Sequence, residues 1–368
     1  MKKMFAYLLS LAFLLNAGGH KSNNKNQEKE ESTVITDENN ISQNEDVMID
    51  DNVDHSDILE THETEITISA VGDCTLGRDD RGSYTYSLPY YLEINHNDYS
   101  YFFRNVYDIL SQDDLTIANL EGPLTDSTTR SQKQFAFKGD PSYTNILTEG
   151  SVEAVNLANN HTMDFGKEGY EDTIQALEDA HLSYFGNGVY DILDIQGIKA
   201  GLAGIKGFSE SGAKAEIDQA KNYFLQNQVD LIIYNFHWGI EREYKQNQTQ
   251  ENIARYAIDY GNANLVIGHH PHVLQGIEKY HGVYIVYSLG NFVFGSNKNP
   301  SDKNTMIIQM HFTFQDQTLT ETNLTLIPAT LSSTMTTNNY QPTLADENTE
   351  QLILKRVLEN STNYEFKN

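Results

Sequence analysis

The chain has 368 residues, enough for two domains or one large α/β domain with a tail, and a hydrophobic content of 39% suffices for a core. Its 52 acidic residues against 25 basic ones leave a net charge of -27, a field that repels polyanions and excludes non-specific nucleic-acid binding. A single cysteine, Cys74, excludes an internal disulfide and a cysteine-rich zinc site.

Residues 1–20 read as a targeting segment. Lys2 and Lys3 give a basic start, Met4 to Leu15 an apolar stretch, and Asn16 to His20 a small-residue end. Such a stretch is too short to span a bilayer stably and predicts a secretory signal peptide. The end Leu15-Asn16-Ala17-Gly18-Gly19 approaches a lipoprotein cleavage pattern, but His20 stands where the cysteine is required. Export is expected, to the outer face of the cytoplasmic membrane or into the medium. Residues 21–64 carry thirteen acids against three lysines and no aromatic residue, which predicts a disordered acidic spacer.

Residues 65–330 alternate strand-like and helix-like runs. Strands are predicted over 66–71, 115–119, 152–157, 231–236, 265–267, 283–287, 306–314 and 319–327, and helices over 101–111, 141–148, 167–180, 214–227 and 249–260. This order predicts a layered α/β domain whose sheets are covered by helices. The Tyr- and Asn-rich residues 84–100 read as a loop or insertion, and residues 331–368 as a loop followed by a polar helix near 348–360.

Candidate ligands stand where apolar runs end, the place where ligands collect in α/β sheets. Asp73 closes the first run, Glu121 the second, Asn160 and His161 the third and His237 the fourth. The next run ends in His270-Pro271-His272, a spacing that points two imidazoles from one short turn into the same space and can grip a metal from one side. A carboxylate with two oxygens, such as Glu121, is suited to bridge two divalent cations. Arg78, Lys138 and Arg242 follow these motifs closely; each reads either as a cation for an anionic substrate or as an ordinary surface charge. Asn291 reads as turning back toward the site or as a turn amide, and Trp238 as a pocket wall or a core residue.

In order, the Asp, the acidic bridge, the Asn-His pair, the single His and the His-x-His resemble the ligand series of the calcineurin-like metallophosphoesterases. The strings GDCTLGR, NLEGPLT, NLANNHTMDFG, HWGIE, GHHPHVLQGIEKY and YSLGNFVF resemble the CapA family, the poly-gamma-glutamate capsule biosynthesis proteins, across roughly residues 65–314. The resemblance implies a layered metallophosphoesterase-like α/β sandwich holding one or two divalent cations of manganese, zinc or iron. It implies that Asp73 binds the first metal, Glu121 bridges both, Asn160, His237 and His270 bind the second, and His272 returns to the first. His161 is then the general acid. Two positions depart from the usual pattern: Thr75 stands in place of a histidine and Glu121 in place of an aspartate. Both departures fall on the first metal position, which is expected to be the weaker.

Two functions follow as expectations. One is a metal-dependent hydrolase outside the cell membrane, acting on a phosphorylated substrate or on the amide of an anionic polymer. The other is a non-catalytic part of capsule assembly or export, working with membrane-bound synthesis partners and gripping polymer carboxylates through the metal cleft. His161 favours the first and Thr75 the second.

Overall fold

The computed structural model describes residues 62–364; the signal-like segment and the acidic spacer up to residue 61 lie outside the described residues. Two sheets stack face to face with helices on both outer sides, as the sequence predicts. In the first sheet the strands run, in spatial order, Thr343–Leu344, Thr318–Thr330, Asn304–Gln315, Glu63–Thr75, Leu115–Leu120, Ala154–Asn156 and Ser183–Phe185. The short strand Asn291–Phe294 pairs in parallel with the end of Glu63–Thr75, setting Asp73 opposite Asn291. The second sheet orders Ile277–Tyr280, Val283–Val286, Leu265–His269, Leu231–His237, Ile198–Lys206 and Tyr190–Ile195.

The period-2 alternation of strand side chains assigns each sheet an inner and an outer face. Ile66, Ile68, Leu115 and Ile117 point into the layer between the sheets, where they meet Leu202, Leu231, Ile233 and Ile267. On the outer face of the second sheet Ile232, Tyr234, Phe236 and Trp238 are covered by Ile217, Ala220 and Phe224 of helix Glu210–Gln226 and by Ile253 and Ala257 of helix Gln248–Asp259. Val71, Ala118 and Val155 of the first sheet pack outward against Leu177 of helix Gly166–Asp179 and Ile146 and Leu147 of helix Thr144–Thr148.

The structure departs from the expected elements in several places: the helix expected over 101–111 is a 3₁₀ turn, Tyr99–Phe102, and a short helix, Tyr107–Leu110, and strands Ser183–Phe185 and Ile277–Tyr280 were not expected. The first strand begins at Glu63, inside the predicted spacer, because its first residues complete the antiparallel ladder with Asn304–Gln315. Strands Tyr190–Ile195 and Ile198–Lys206 were not predicted, because Gly201 and Gly204 break the apolar pattern. The first glycine has a packing reason: a Cβ at Gly201 would stand 2.8 Å from the Phe224 ring. A helix over Leu88–Ile94 sits inside the presumed insertion, burying Leu88 and Leu92. The C-terminal helix, Glu347–Asn360, is less polar in role than its composition implies, since Ile353 and Val357 join the layer between the sheets. No helix among the described residues is long and apolar enough to cross a membrane.

One close approach fixes the strand that carries Asp73. Asp73 N–H donates to the Gly290 carbonyl at 2.9 Å, and a Cβ on Gly72 would lie 2.2 Å from that same oxygen. Gly72→Ala is therefore expected to destabilise the protein by about 1–3 kcal/mol, the scale of overpacking against a fixed neighbour. Urea unfolding checks this, and a midpoint equal to the wild type would show that the 290–294 segment yields freely.

Candidate metal centre

All five segments that carry candidate ligands meet where the parallel strands end. Asp73 lies in the last turns of Glu63–Thr75 and is level with Asn119, while His237 is level with His269 in the second sheet. Glu121 follows Leu115–Leu120 directly and Gly122 after it takes φ 111°, a left-handed conformation that suits glycine. The turn after Leu265–His269 places His270 at φ 97° and His272 at φ 57°, sparsely populated conformations for residues with a Cβ. Such strain collects at functional sites, where surrounding structure holds it in place.

Glu121 is the centre of the arrangement. It is buried, and neither of its carboxylate oxygens has a hydrogen-bond partner. Around Oε1 stand the Nε2 atoms of His161 at 3.8 Å, His237 at 3.9 Å and His272 at 3.9 Å. Those separations are too long for hydrogen bonds. They approach the spacing of donors that share a cation, roughly 3.4 Å apart for bonds of about 2.1 Å in tetrahedral geometry. One nitrogen or oxygen from each of Asp73, Glu121 and His272 lies within 4.8 Å of the other two. An unpartnered buried carboxylate among imidazoles is the donor set expected of a zinc, manganese or iron site, so the residues fit the implied metal.

The titration of the cluster reflects how closely its acids and imidazoles are packed. Burial dominates at Glu121, and with Asp73 nearby it outweighs His272 and His161 and pushes the carboxyl up to about 7. Burial would also raise Asp73, but the hydrogen bond and charge of His272, helped by His269 and His237, hold it well below the usual carboxylate range. His272 resists the burial that would lower it: Glu121 and Asp73 push it up to about 9. Burial lowers His237 well below its ordinary value and brings His270 and His269 down to about 4, keeping those imidazoles neutral and able to coordinate.

The remaining ligand candidates are held in place by neighbours. Asn160 Oδ1 lies 2.8 Å from His237 Nε2, so the two expected ligands of the second metal face each other directly. Asp73 accepts from Asn119 Nδ2 at 2.8 Å, and Asn291 Oδ1 meets His272 Nδ1 at 2.9 Å, so Asn291 does turn back to the site. Trp238 is a core residue: its Nε1–H donates to the Tyr287 carbonyl at 2.9 Å and its ring stacks on Phe236. Cys74 packs behind Asp73 with its thiol pushed up to about 12, chiefly by burial. Thr75 is buried and its hydroxyl has no partner, leaving that position without the imidazole of the usual pattern.

His161 belongs to a small relay. Its Nδ1 lies 2.7 Å from Asp164 Oδ2, and Lys133 pairs with the other Asp164 oxygen while donating to the Asn160 carbonyl at 3.0 Å. A carboxylate only accepts, so Nδ1 carries the proton toward Asp164, leaving Nε2 to face Glu121. Asp164 stood in the motif three residues after His161, a spacing that signals a turn contact; Lys133 gave no sequence signal.

A cavity of about 510 Å³ opens onto Glu121, His161 and His272, walled by Phe137 and Phe294 and edged by Arg242. Of the three expected substrate cations only Arg242 lines it. Arg78 instead donates to the carbonyls of Asp79 and Gly82, each at 2.9 Å, and Lys138 donates to the Ser127 carbonyl at 2.6 Å while lying over the Phe165 ring. Both cations brace loops, because backbone carbonyls in those turns need donors.

The family model described as "Bacterial capsule synthesis protein PGA_cap" matches residues 67–194 and 193–296, which include every one of these site residues. The chain belongs to the bacterial capsule synthesis protein family. Relatives in the capsule synthesis family include the capsule biosynthesis protein CapA of Bacillus anthracis, 30% identical over 273 residues, covering 67% of this chain and 64% of that protein. The PGA biosynthesis protein CapA of Bacillus subtilis strain 168 is 29% identical over 237 residues, covering 57% of this chain and 60% of its own. The chain thus spans less than two thirds of the length of these relatives. Among solved structures, the calcineurin-like phosphoesterase YfkN of Bacillus subtilis aligns with a TM-score of 0.40 at 15% identity, covering 81% of this chain and 99% of that one.

Proposed function

We propose that the chain is a metal-dependent hydrolase of poly-gamma-glutamate capsule assembly, working outside the cytoplasmic membrane on a phosphorylated substrate or on amide bonds of the anionic polymer. The observation that carries this reading is the buried Glu121 carboxylate, unpartnered and ringed by three imidazole nitrogens at 3.8–3.9 Å. Divalent cations held by Asp73, Glu121 and His272, and by Glu121, Asn160, His237 and His270, would supply Lewis-acid polarisation and a nucleophilic water at neutral pH.

The chain's own groups supply the rest. His161 presents Nε2 to the cavity; to act as the acid the ring must carry a proton at Nε2 as well as at Nδ1, and Asp164, accepting from Nδ1, orients the ring and offsets that charge until Nε2 gives its proton to the leaving group. Arg242 meets an anionic group at the cavity edge, and Phe137 excludes water beside His161, their rings 4.6 Å apart. The relatives named for capsule and PGA biosynthesis support the polymer context. Membrane-bound synthesis partners belong to the same reading.

The buried, unpartnered Thr75 hydroxyl favours the second reading, a non-catalytic polymer-binding component, because it removes an imidazole from the first metal position. One experiment separates the two. The purified chain, loaded with Mn²⁺, is assayed on p-nitrophenyl phosphate, its bis-ester and poly-gamma-glutamate, with and without chelator. Turnover of any of them that stops on chelation is expected; metal-dependent polymer binding without turnover would establish the binder instead.

A further inference from the structure

We infer that Glu241 is a metal ligand, completing with His270 and His272 a two-histidine, one-carboxylate position for a divalent cation on the cavity side of the cluster. Glu241 closes the HWGIE string but is not among the ligands the resemblance implies, and it lies four residues beyond the strand Leu231–His237. One donor atom from each of Glu241, His270 and His272 lies within 4.8 Å of the others. Two imidazoles and a carboxylate with open positions form a donor set suited to manganese, iron or zinc.

Three independent observations point to a ligand. His270 is nine-tenths buried and its Nδ1 has no hydrogen-bond partner. The Glu241 side chain is exposed and makes no hydrogen bond or ion pair among the described residues, so its carboxylate is available. The turn that carries it is tied down beside the histidines: Arg242 N–H donates to the Pro271 carbonyl at 2.8 Å, and Trp238 N–H to the His269 carbonyl at 3.1 Å. Behind it, Gln250 Nε2 donates to Gln275 Oε1 and Gln275 Nε2 to the Glu243 carbonyl, both at 2.8 Å. A free acid on a pinned turn, with a carboxylate oxygen within 4.8 Å of a ring nitrogen of buried His270, is placed to coordinate and loses little side-chain freedom on doing so.

The position shares His272 with the one formed by Asp73, Glu121 and His272, and its carboxylate is the one open to solvent: Glu241 is exposed and lines the cavity, whereas Asp73 and Glu121 are buried. A cation held there would meet a carboxylate or phosphoryl oxygen entering the cavity that Arg242 also edges. The inference deepens the proposed site but does not require it to be catalytic.

The test is a Mn²⁺ titration of the chelator-treated full chain, followed by calorimetry and by the electron-spin resonance of free Mn²⁺. Glu241→Gln is expected to weaken one binding event by about tenfold or more, the scale of a lost metal-site contact, and to leave another in place. Glu243→Gln, on the same turn, is expected to match the wild type. Far-ultraviolet circular dichroism of Glu241→Gln should be unchanged, because the side chain is exposed. A Glu241→Gln isotherm superimposable on the wild type overturns the inference, as does a wild-type chain that takes up no Mn²⁺. Intact Mn²⁺ binding that depends on Glu241, with no turnover of any substrate, would sink the hydrolase reading alone.

Discussion

His161→Ala is expected to keep its metal and lose about 10²-fold or more in turnover, the scale of a missing general acid. The reason is geometric. Its Nε2 faces the cavity 3.8 Å from Glu121, while its Nδ1 is engaged by Asp164 at 2.7 Å, so the ring is oriented for proton delivery. Asp164→Asn should give a smaller loss, since an amide can still hold the ring at Nδ1 but removes the negative charge that offsets a second proton at Nε2. Metal content by atomic absorption, read beside kcat on p-nitrophenyl phosphate, separates the roles. Metal loss from His161→Ala as large as that from His270→Ala would make His161 a ligand and not an acid.

Glu121→Gln is expected to lose most of the metal-dependent stabilisation and, without metal, to make the protein more stable than the wild type near neutral pH. Burial raises the folded-state value of this carboxyl to about 7 from an ordinary 4.5. A raised value means the group's favourable share of stability is present below 4.5 and is lost as pH climbs toward 7, where the carboxylate is ionised without partners. In chelator, the wild type should therefore weaken relative to Glu121→Gln between those two pH values. With Mn²⁺ the order reverses. A ligand at a hundred times its Kd stabilises the native state by about 2.7 kcal/mol, and the variant lacks the bridging oxygens that collect it. Thermal melts at pH 5 and 7.5, with chelator and with Mn²⁺, read both effects. A variant that keeps the full Mn²⁺-dependent rise in Tm would remove Glu121 from the metal centre.

The strand ends that carry the candidate ligands were legible because they are local. An apolar run that stops in Gly-Asp, Leu-Glu, Asn-His or His-x-His marks a parallel strand and its C-terminal tip, whatever lies beside it. The same logic located Asp73, Glu121, Asn160, His161, His237, His270 and His272 before any strand was paired. It failed for strand Ile198–Lys206, where Gly201 serves the close approach of Phe224 in helix Glu210–Gln226 and Gly204 the close approach of Asn156, rather than strand propensity. It failed too for helix Leu88–Ile94, where a tyrosine-rich run hides two core leucines.

By itself the sequence determined the strand–helix order, the layered α/β class and the set of strand-end donors, because hydrophobic period and strand termini are properties of neighbouring residues. Only the tertiary structure decided which cations matter: Arg242 edges the cavity, while Arg78 and Lys138 are consumed by backbone carbonyls of their own loops. It also brought Lys133 to the His161–Asp164 pair, Asn291 to His272 and Glu241 to His270. These contacts rest on hydrogen bonds between loops far apart in the chain, such as Arg242 N–H to the Pro271 carbonyl. No local pattern encodes such a bond, since its partners are chosen by how the two sheets stack.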